Sequence, residues 1–169
     1  IMCGFSLFNF FISNPEHINY FLKFRGPDYT GNLENNGFQF FHYLLHMTGD
    51  VIHQPFYNKE ADIVCVFNGE IYNYKELHKK MNTKMVFKSD GECIIPMYQK
   101  YGAEFTKQLD GEFAICLFDF SKGIYLMSTD TFSCKPLWYA FGNGNANNND
   151  NDNEQKMGIA TYKSCLIRA

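Results

Sequence analysis

The 169-residue chain has no cysteine pair at C-x-x-C spacing, and its six cysteines, Cys3, Cys65, Cys93, Cys116, Cys134 and Cys165, show none of the separations that hold zinc. It also has no N-x-[ST] sequon. Both absences point away from a secreted disulfide scaffold and toward a reducing, cytoplasmic setting. Cys65 and Cys116 lie inside apolar runs and read as buried free thiols. No apolar run approaches the roughly 18 residues a membrane helix needs, so no membrane partner is expected. The apolar first dozen residues lack a basic leader and a small-residue cleavage site, which argues against a secretory signal. A basic excess is missing too: 15 Lys and Arg stand against 18 Asp and Glu, for a net charge of -3. Nucleic acid is therefore a poor partner. No repeat of solenoid type is present.

What the chain does have is apolar and aromatic material for a large core: 46% hydrophobic residues and 18% aromatic, with 18 Phe and 11 Tyr. The length suits one domain over residues 1–169. Residues 3–12 read as a buried strand. A helix follows, with Asn14 as N-cap and Pro15 at its first position. The segment RGPDYTGN reads as a loop. Strands are expected over 37–47 and 62–67, the second stopping at the turn-like NGE. Helices are expected over 73–81 and 90–101, the latter carrying a disfavoured Pro96. EFAICLFDF and GIYLMST flank SKG as a hairpin, and KPLWYAF and MGIATY form a second pair. Between that pair, residues 143–155 are of low complexity and read as a disordered loop. Runs such as FAICLF are apolar on both sides of the pleat, so they must be covered twice. That predicts an α+β layered sandwich.

Chemistry concentrates in a few places. Cys3 followed by Gly4 stands at the start of the chain. If Met2 is the initiator and is removed, Cys3 carries both a thiol and a free α-amine, whose ordinary pKa of roughly 7.7–8.0 makes it a usable base. With Ile1 and Met2 attached, that nitrogen is an amide. Either the two residues are removed, or the real start lies at Met2, or this chemistry is absent. In FNGEIYN, the Asn68 side chain and the Gly69 N–H are a donor pair suited to a developing oxyanion. Glu70 and Asp90 are acids that together suit a substrate ammonium; separately, each reads as a solvated charge or a helix cap. His42, His46 and His53 lack a nearby acid or thiol at ligand spacing, so no metal is expected.

The segments MCGF, RGPD, QP, FNGEIYNYKEL, SDGE, LDGEFAICLFD, DTFSCKPLWY and IATYKSCL occur in an order that resembles the class II glutamine amidotransferase domain at the start of asparagine synthetases. The resemblance covers nearly the whole chain. It implies an N-terminal-nucleophile fold, a four-layer αββα sandwich of two antiparallel sheets, and hydrolysis of the glutamine side-chain amide to glutamate and ammonia. By match, Cys3 is the nucleophile with its own amine as base, and Asn68 and Gly69 form the oxyanion hole. Glu70 and Asp90 hold the substrate amine, and Arg25 belongs to the binding region and orders the nucleophile. Glutamine is the implied substrate. A C-terminal synthetase domain or partner chain is the implied consumer of ammonia, and a homodimer is compatible with the family. The glutaminase half implies no cofactor; ATP and magnesium belong to the synthetase half, which makes asparagine through a β-aspartyl adenylate. Three departures stand out. Ile1 precedes the Met. Counting back without gaps from Gln54-Pro55, Tyr43 takes the place of an Arg that pairs with the glutamine α-carboxylate, and this implies weakened substrate binding. The sequence stops where the synthetase domain is expected to begin, with no S-G-G-x-D-S nucleotide loop, so a fragment of a longer synthetase is expected. In addition, Thr129-Asp130 stands where the family has Arg-Asp. These features keep open an alternative: a catalytically impaired or regulatory glutaminase-like module of an ammonia-using synthetase.

Overall fold

The computed structural model describes residues 3–47, 50–82, 86–143 and 155–169. The expected loop over 143–155, its end residues apart, lies outside the described residues. Among the described residues, nine strands make two antiparallel sheets. The first contains β1 (Gly4–Phe8), β2 (Tyr29–Asn35), β3 (Phe38–Leu44), β8 (Trp138–Asn143) and β9 (Gln155–Ala160), in the order β2-β3-β1-β9-β8. The second contains β4 (Phe56–Asn58), β5 (Ile63–Ile71), β6 (Gly111–Asp119) and β7 (Ile124–Thr129), in sequence order. The helices are α1 (Pro15–Ile18), α2 (Leu22–Arg25), α3 (Tyr74–Met81), α4 (Ile94–Tyr101) and α5 (Lys163–Arg168).

Alternation along the central strands creates the layers, because successive side chains leave a strand on opposite faces. On β6, Phe113, Ile115 and Leu117 pack in a cluster with Ile94, Met97 and Tyr98 of α4 and Leu77 of α3. The intervening Ala114, Cys116 and Phe118 pack against Phe5 and Leu7 of β1 and Phe38 and Phe40 of β3. On the far side of the first sheet, Phe8, Phe41, Tyr43 and Ala160 meet Ile18, Leu22 and Cys165 of α1, α2 and α5. Helix, sheet, sheet and helix thus enclose three apolar layers, the four-layer αββα arrangement the resemblance implies.

Several local expectations need correction. Strand β1 stops at Phe8 rather than at residue 12. The single helix after it is two four-residue turns, broken at Asn19. Asn19 is fully buried, and its side chain accepts a hydrogen bond from Ser6 Oγ at 2.6 Å. The supposed loop at 25–32 runs into β2, an edge strand whose polar residues face outward and so give little apolar signal. Strand β5 does not end at Asn68-Gly69-Glu70 but carries on to Ile71 in unbroken register with β6. A short 3-10 turn, Asp90–Cys93, precedes α4. Pro96 falls in the first turn of α4, where an N–H has no intrahelical acceptor to lose.

Candidate active site

A cavity of about 360 Å³ is lined by residues of both sheets. Its walls include Cys3, Leu45, Gln54, Asn68, Gly69, Glu70, Asp90 and Glu112. Pleat alternation explains their presence. Cys3 is in step with Phe5 and Leu7, which face the second sheet. Asn68 and Glu70 are in step with Val64 and Val66, and Glu112 with Ala114 and Cys116, all of which face the first sheet. The polar residues are therefore the open end of an otherwise apolar interlayer.

The Cys3 sulfur is half-buried and sits against the backbone of Leu45. It accepts from the Leu45 N–H at 3.3 Å, and its S–H is placed to donate to the Leu45 carbonyl at 3.5 Å. Burial pushes the thiol above its ordinary pKa, with Asp90 adding to the rise; the Leu45 N–H and Arg25 oppose it. At neutral pH the group is a thiol, so attack requires a base. Arg25 donates from Nε to the Cys3 carbonyl at 3.1 Å, and its guanidinium stacks 4.8 Å over the Tyr162 ring. It is not among the residues lining the cavity. Arg25 is thus placed against the backbone of Cys3.

Asn68 is 1% exposed, and neither Nδ2 nor Oδ1 has a hydrogen-bond partner in the protein. A buried amide without partners is uncommon and calls for a ligand or a function. Gly69 supplies the second donor. Its register partner Phe113 spends both backbone groups on Asp130: the Phe113 N–H donates to Oδ2 at 3.0 Å, and the Phe113 carbonyl accepts from the Asp130 N–H at 3.0 Å. In an antiparallel ladder the odd-numbered N–H groups of this stretch consequently point away from β6. The N–H of Phe67 goes to Gln54 Oε1 at 2.8 Å, and that of Ile71 to Asp90 Oδ2 at 2.8 Å. The Gly69 N–H lies between these two and faces the cavity. Gly69 has φ +152°, and a Cβ there would stand 2.1 Å from the Glu112 carbonyl oxygen, so no other residue fits without moving the strands.

Asp90 is held at the start of its 3-10 turn, where the Glu92 carboxylate accepts the N–H groups of Lys88 and Ser89 at 2.6 and 2.9 Å. Burial raises its carboxyl above the ordinary value, and the N–H groups of Ile71 and Gly91 counter this. Glu70 is raised by burial and then by Asp90 and Glu112, with Lys135 working the other way. The two acids expected to act together are thus brought together, as are Cys3, Asn68 and Gly69.

Tyr43 is not. It is 2% exposed and packed in the helix-facing layer with Phe41 and Leu22, on the opposite face of β3 from the cavity. Burial lifts its hydroxyl to about 12, against a hydrogen bond with Asn19. Tyr43 is not among the residues lining the cavity. His42, on the interlayer face, is fully buried. His53 instead stacks on Tyr29 at 3.7 Å. Among the described residues, no three His, Cys, Asp or Glu side chains cluster as metal ligands. Sequence reading missed Gln54, Leu45, Glu112 and Lys135 as parts of the site. The QP pair had marked the first of these without revealing that its side chain caps a strand N–H.

A family model described as "Glutamine amidotransferase domain" matches residues 2–156. Asparagine synthetase [glutamine-hydrolyzing] 1 of Arabidopsis thaliana is 35% identical over 127 residues, covering 72% of this chain and 21% of that protein. Asparagine synthetase B [glutamine-hydrolyzing] of Escherichia coli is 32% identical over 123 residues, covering 71% of this chain and 22% of that protein. The chain thus spans about a fifth of the length of these curated relatives. Among solved structures, the glutamine phosphoribosylpyrophosphate amidotransferase of B. subtilis, complexed with ADP and GMP, superposes with a TM-score of 0.71 at 14% identity. That match covers 98% of this chain and 43% of the other, and it shows a shared fold.

Proposed function

The chain belongs to the glutamine amidotransferase domain family, and from that premise we propose that its cavity hydrolyses the side-chain amide of glutamine. The observation that carries this reading is the unpartnered, buried Asn68 amide beside the cavity-facing Gly69 N–H, both lining the same cavity as the Cys3 thiol. In a chain beginning at Cys3, the neutral α-amine takes the thiol proton, and the sulfur attacks the amide carbon. The resulting oxyanion accepts hydrogen bonds from Asn68 Nδ2 and the Gly69 N–H. Collapse breaks the C–N bond, and the α-ammonium returns its proton to the departing ammonia. A γ-glutamyl thioester remains. Water, deprotonated by the same amine, cleaves it and restores the thiol. Glu70 and Asp90 hold the substrate ammonium, and Arg25 keeps Cys3 in place.

The relatives' names extend the proposal. Ammonia passes to an ATP- and magnesium-dependent synthetase domain that converts aspartate to asparagine, in the cytoplasm. The impaired-module alternative keeps one supporting observation: no Arg or Lys is among the described residues lining the cavity, so the substrate α-carboxylate meets no fixed cation there.

The test is to produce the chain from Met2, confirm initiator loss by intact mass, and supply glutamine. Equimolar glutamate and ammonia are expected. Labelling by diazo-oxo-norleucine should map to Cys3, and Cys3→Ala should abolish both. Correctly processed protein that neither releases ammonia nor takes the label would establish the impaired alternative.

A further inference from the structure

Lys135 is 2% exposed, and its Nζ lies 2.7 Å from Glu112 Oε1. Glu112 stands directly across the β5–β6 ladder from Glu70, and both line the cavity with Asp90. Like charges facing each other across a ladder repel. The loop that carries Lys135 is fastened to β6 close by. The buried Asp130 carboxylate accepts the N–H of Phe113, the neighbour of Glu112, together with those of Phe132 and Cys134, all at 3.0 to 3.2 Å. The ammonium is therefore delivered to Glu112 by a built support.

We propose that Lys135 is a positioning residue of the ammonium subsite: by engaging Glu112 it withdraws one of three carboxylates and leaves Glu70 and Asp90 as the pair that takes the substrate's cationic amine. The inference rests on the glutamine reading. A substrate with one ammonium and one carboxylate needs a limited negative charge at one end of the cavity, and an unengaged Glu112 would both compete for the amine and repel the carboxylate. The charged and titratable groups facing Glu70 are Asp90 from the 3-10 turn, Glu112 from β6 and Lys135 from the β7–β8 loop, with Tyr72 beyond the end of β5. Removing the cation leaves only anions around Glu70. Its carboxylate then binds a proton at higher pH, and the ammonium site is lost earlier as pH falls.

The experiment is a 13C titration of side-chain carboxyls in the full chain, with the Glu70 signal identified by its loss in Glu70→Gln. Lys135→Met should raise the Glu70 midpoint by about one pH unit. Glu112→Gln should lower it, and the double variant should return it close to the wild-type value. In active protein, the acid limb of kcat/KM for glutamine should move with the midpoint while kcat at saturating glutamine stays within about threefold. A merely structural lysine would lower the melting temperature and leave the midpoint in place. An unmoved midpoint in Lys135→Met overturns the proposal, as does a double variant that stays with the single one. Should Lys135→Met fail to fold, Glu112→Gln and the double variant decide by the same rule. Midpoints that move as stated in a wild-type chain that hydrolyses no glutamine would sink the substrate reading and leave the charge pairing intact.

Discussion

At the scale of single residues, the site separates groups held for stability from groups held for a ligand. The proposed mechanism puts Asn68 in the second kind, and its amide makes no protein hydrogen bond that a mutation could remove. Asn68→Ala should therefore cut kcat by roughly 100- to 1000-fold while the melting temperature stays within a few degrees. Steady-state kinetics beside a thermal melt will check this; a parallel loss of both would mark Asn68 as structural. That Cys3, Asn68, Gly69, Glu70 and Asp90 line one cavity was foreshadowed by the short motifs they sit in, whose residue types suit one proposed reaction. Glu112 and Lys135 were not, because their meaning depends on β5 lying against β6 and on a loop folding back across it. Which layer Tyr43 joins was not legible either, because one step along a strand exchanges the interlayer for the helix-facing core.

At the scale of elements, β5 brings Asn68, Gly69 and Glu70 to the cavity, and at Gly69 it lies close against β6. Gly69→Ala would force a Cβ into the Glu112 carbonyl and strain a backbone at φ +152°. It should cost about 3 kcal/mol or more. Gly37→Ala, in the tight turn between β2 and β3, is the matched control: φ is +77° there, but a Cβ would meet nothing within 4 Å. It should cost only about 1 kcal/mol. Urea denaturation of both variants measures the difference, and equal losses would show that the close approach to β6 has no energetic weight. The hairpins β6–β7 and β8–β9 were readable from their turns and apolar strands. The edge strand β2 was not, since a strand with one solvated side spends its sequence on Thr, Asn and Glu rather than on apolar alternation. The broken helix at Asn19 was hidden because the break serves a contact with Ser6, a residue on another element.

At the scale of the whole molecule, the doubly apolar strands foretold the layering: a strand buried on both faces requires a cover on each. His42 ties that layering to acidity. Fully buried between the sheets, it is held down to about 4 by desolvation, from an ordinary 6.5. The unfolded chain takes up this proton as pH falls below 6.5, and the native state does not until about 4. Stability should thus decline across that window by roughly 3 kcal/mol and then level as far as this group is concerned. Asp119 acts below that range: its burial is outweighed by hydrogen bonds from Lys122, Ser121 and Tyr98, which hold it to about 2. Melting curves from pH 7 to 4 should be steeper for the wild type than for His42→Asn, and parallel curves would remove His42 from the account. The short reach of β4 has a further consequence. Its three residues pair with β5 only as far as Cys65, and the bare rim beyond, where Gln54 and Asp90 cap the flanking amides, is the berth the substrate would fill. An extended peptide able to zip onto that rim would block turnover by backbone mimicry alone, and an insertion lengthening β4 by a few residues would turn a working enzyme into an ordinary closed sheet.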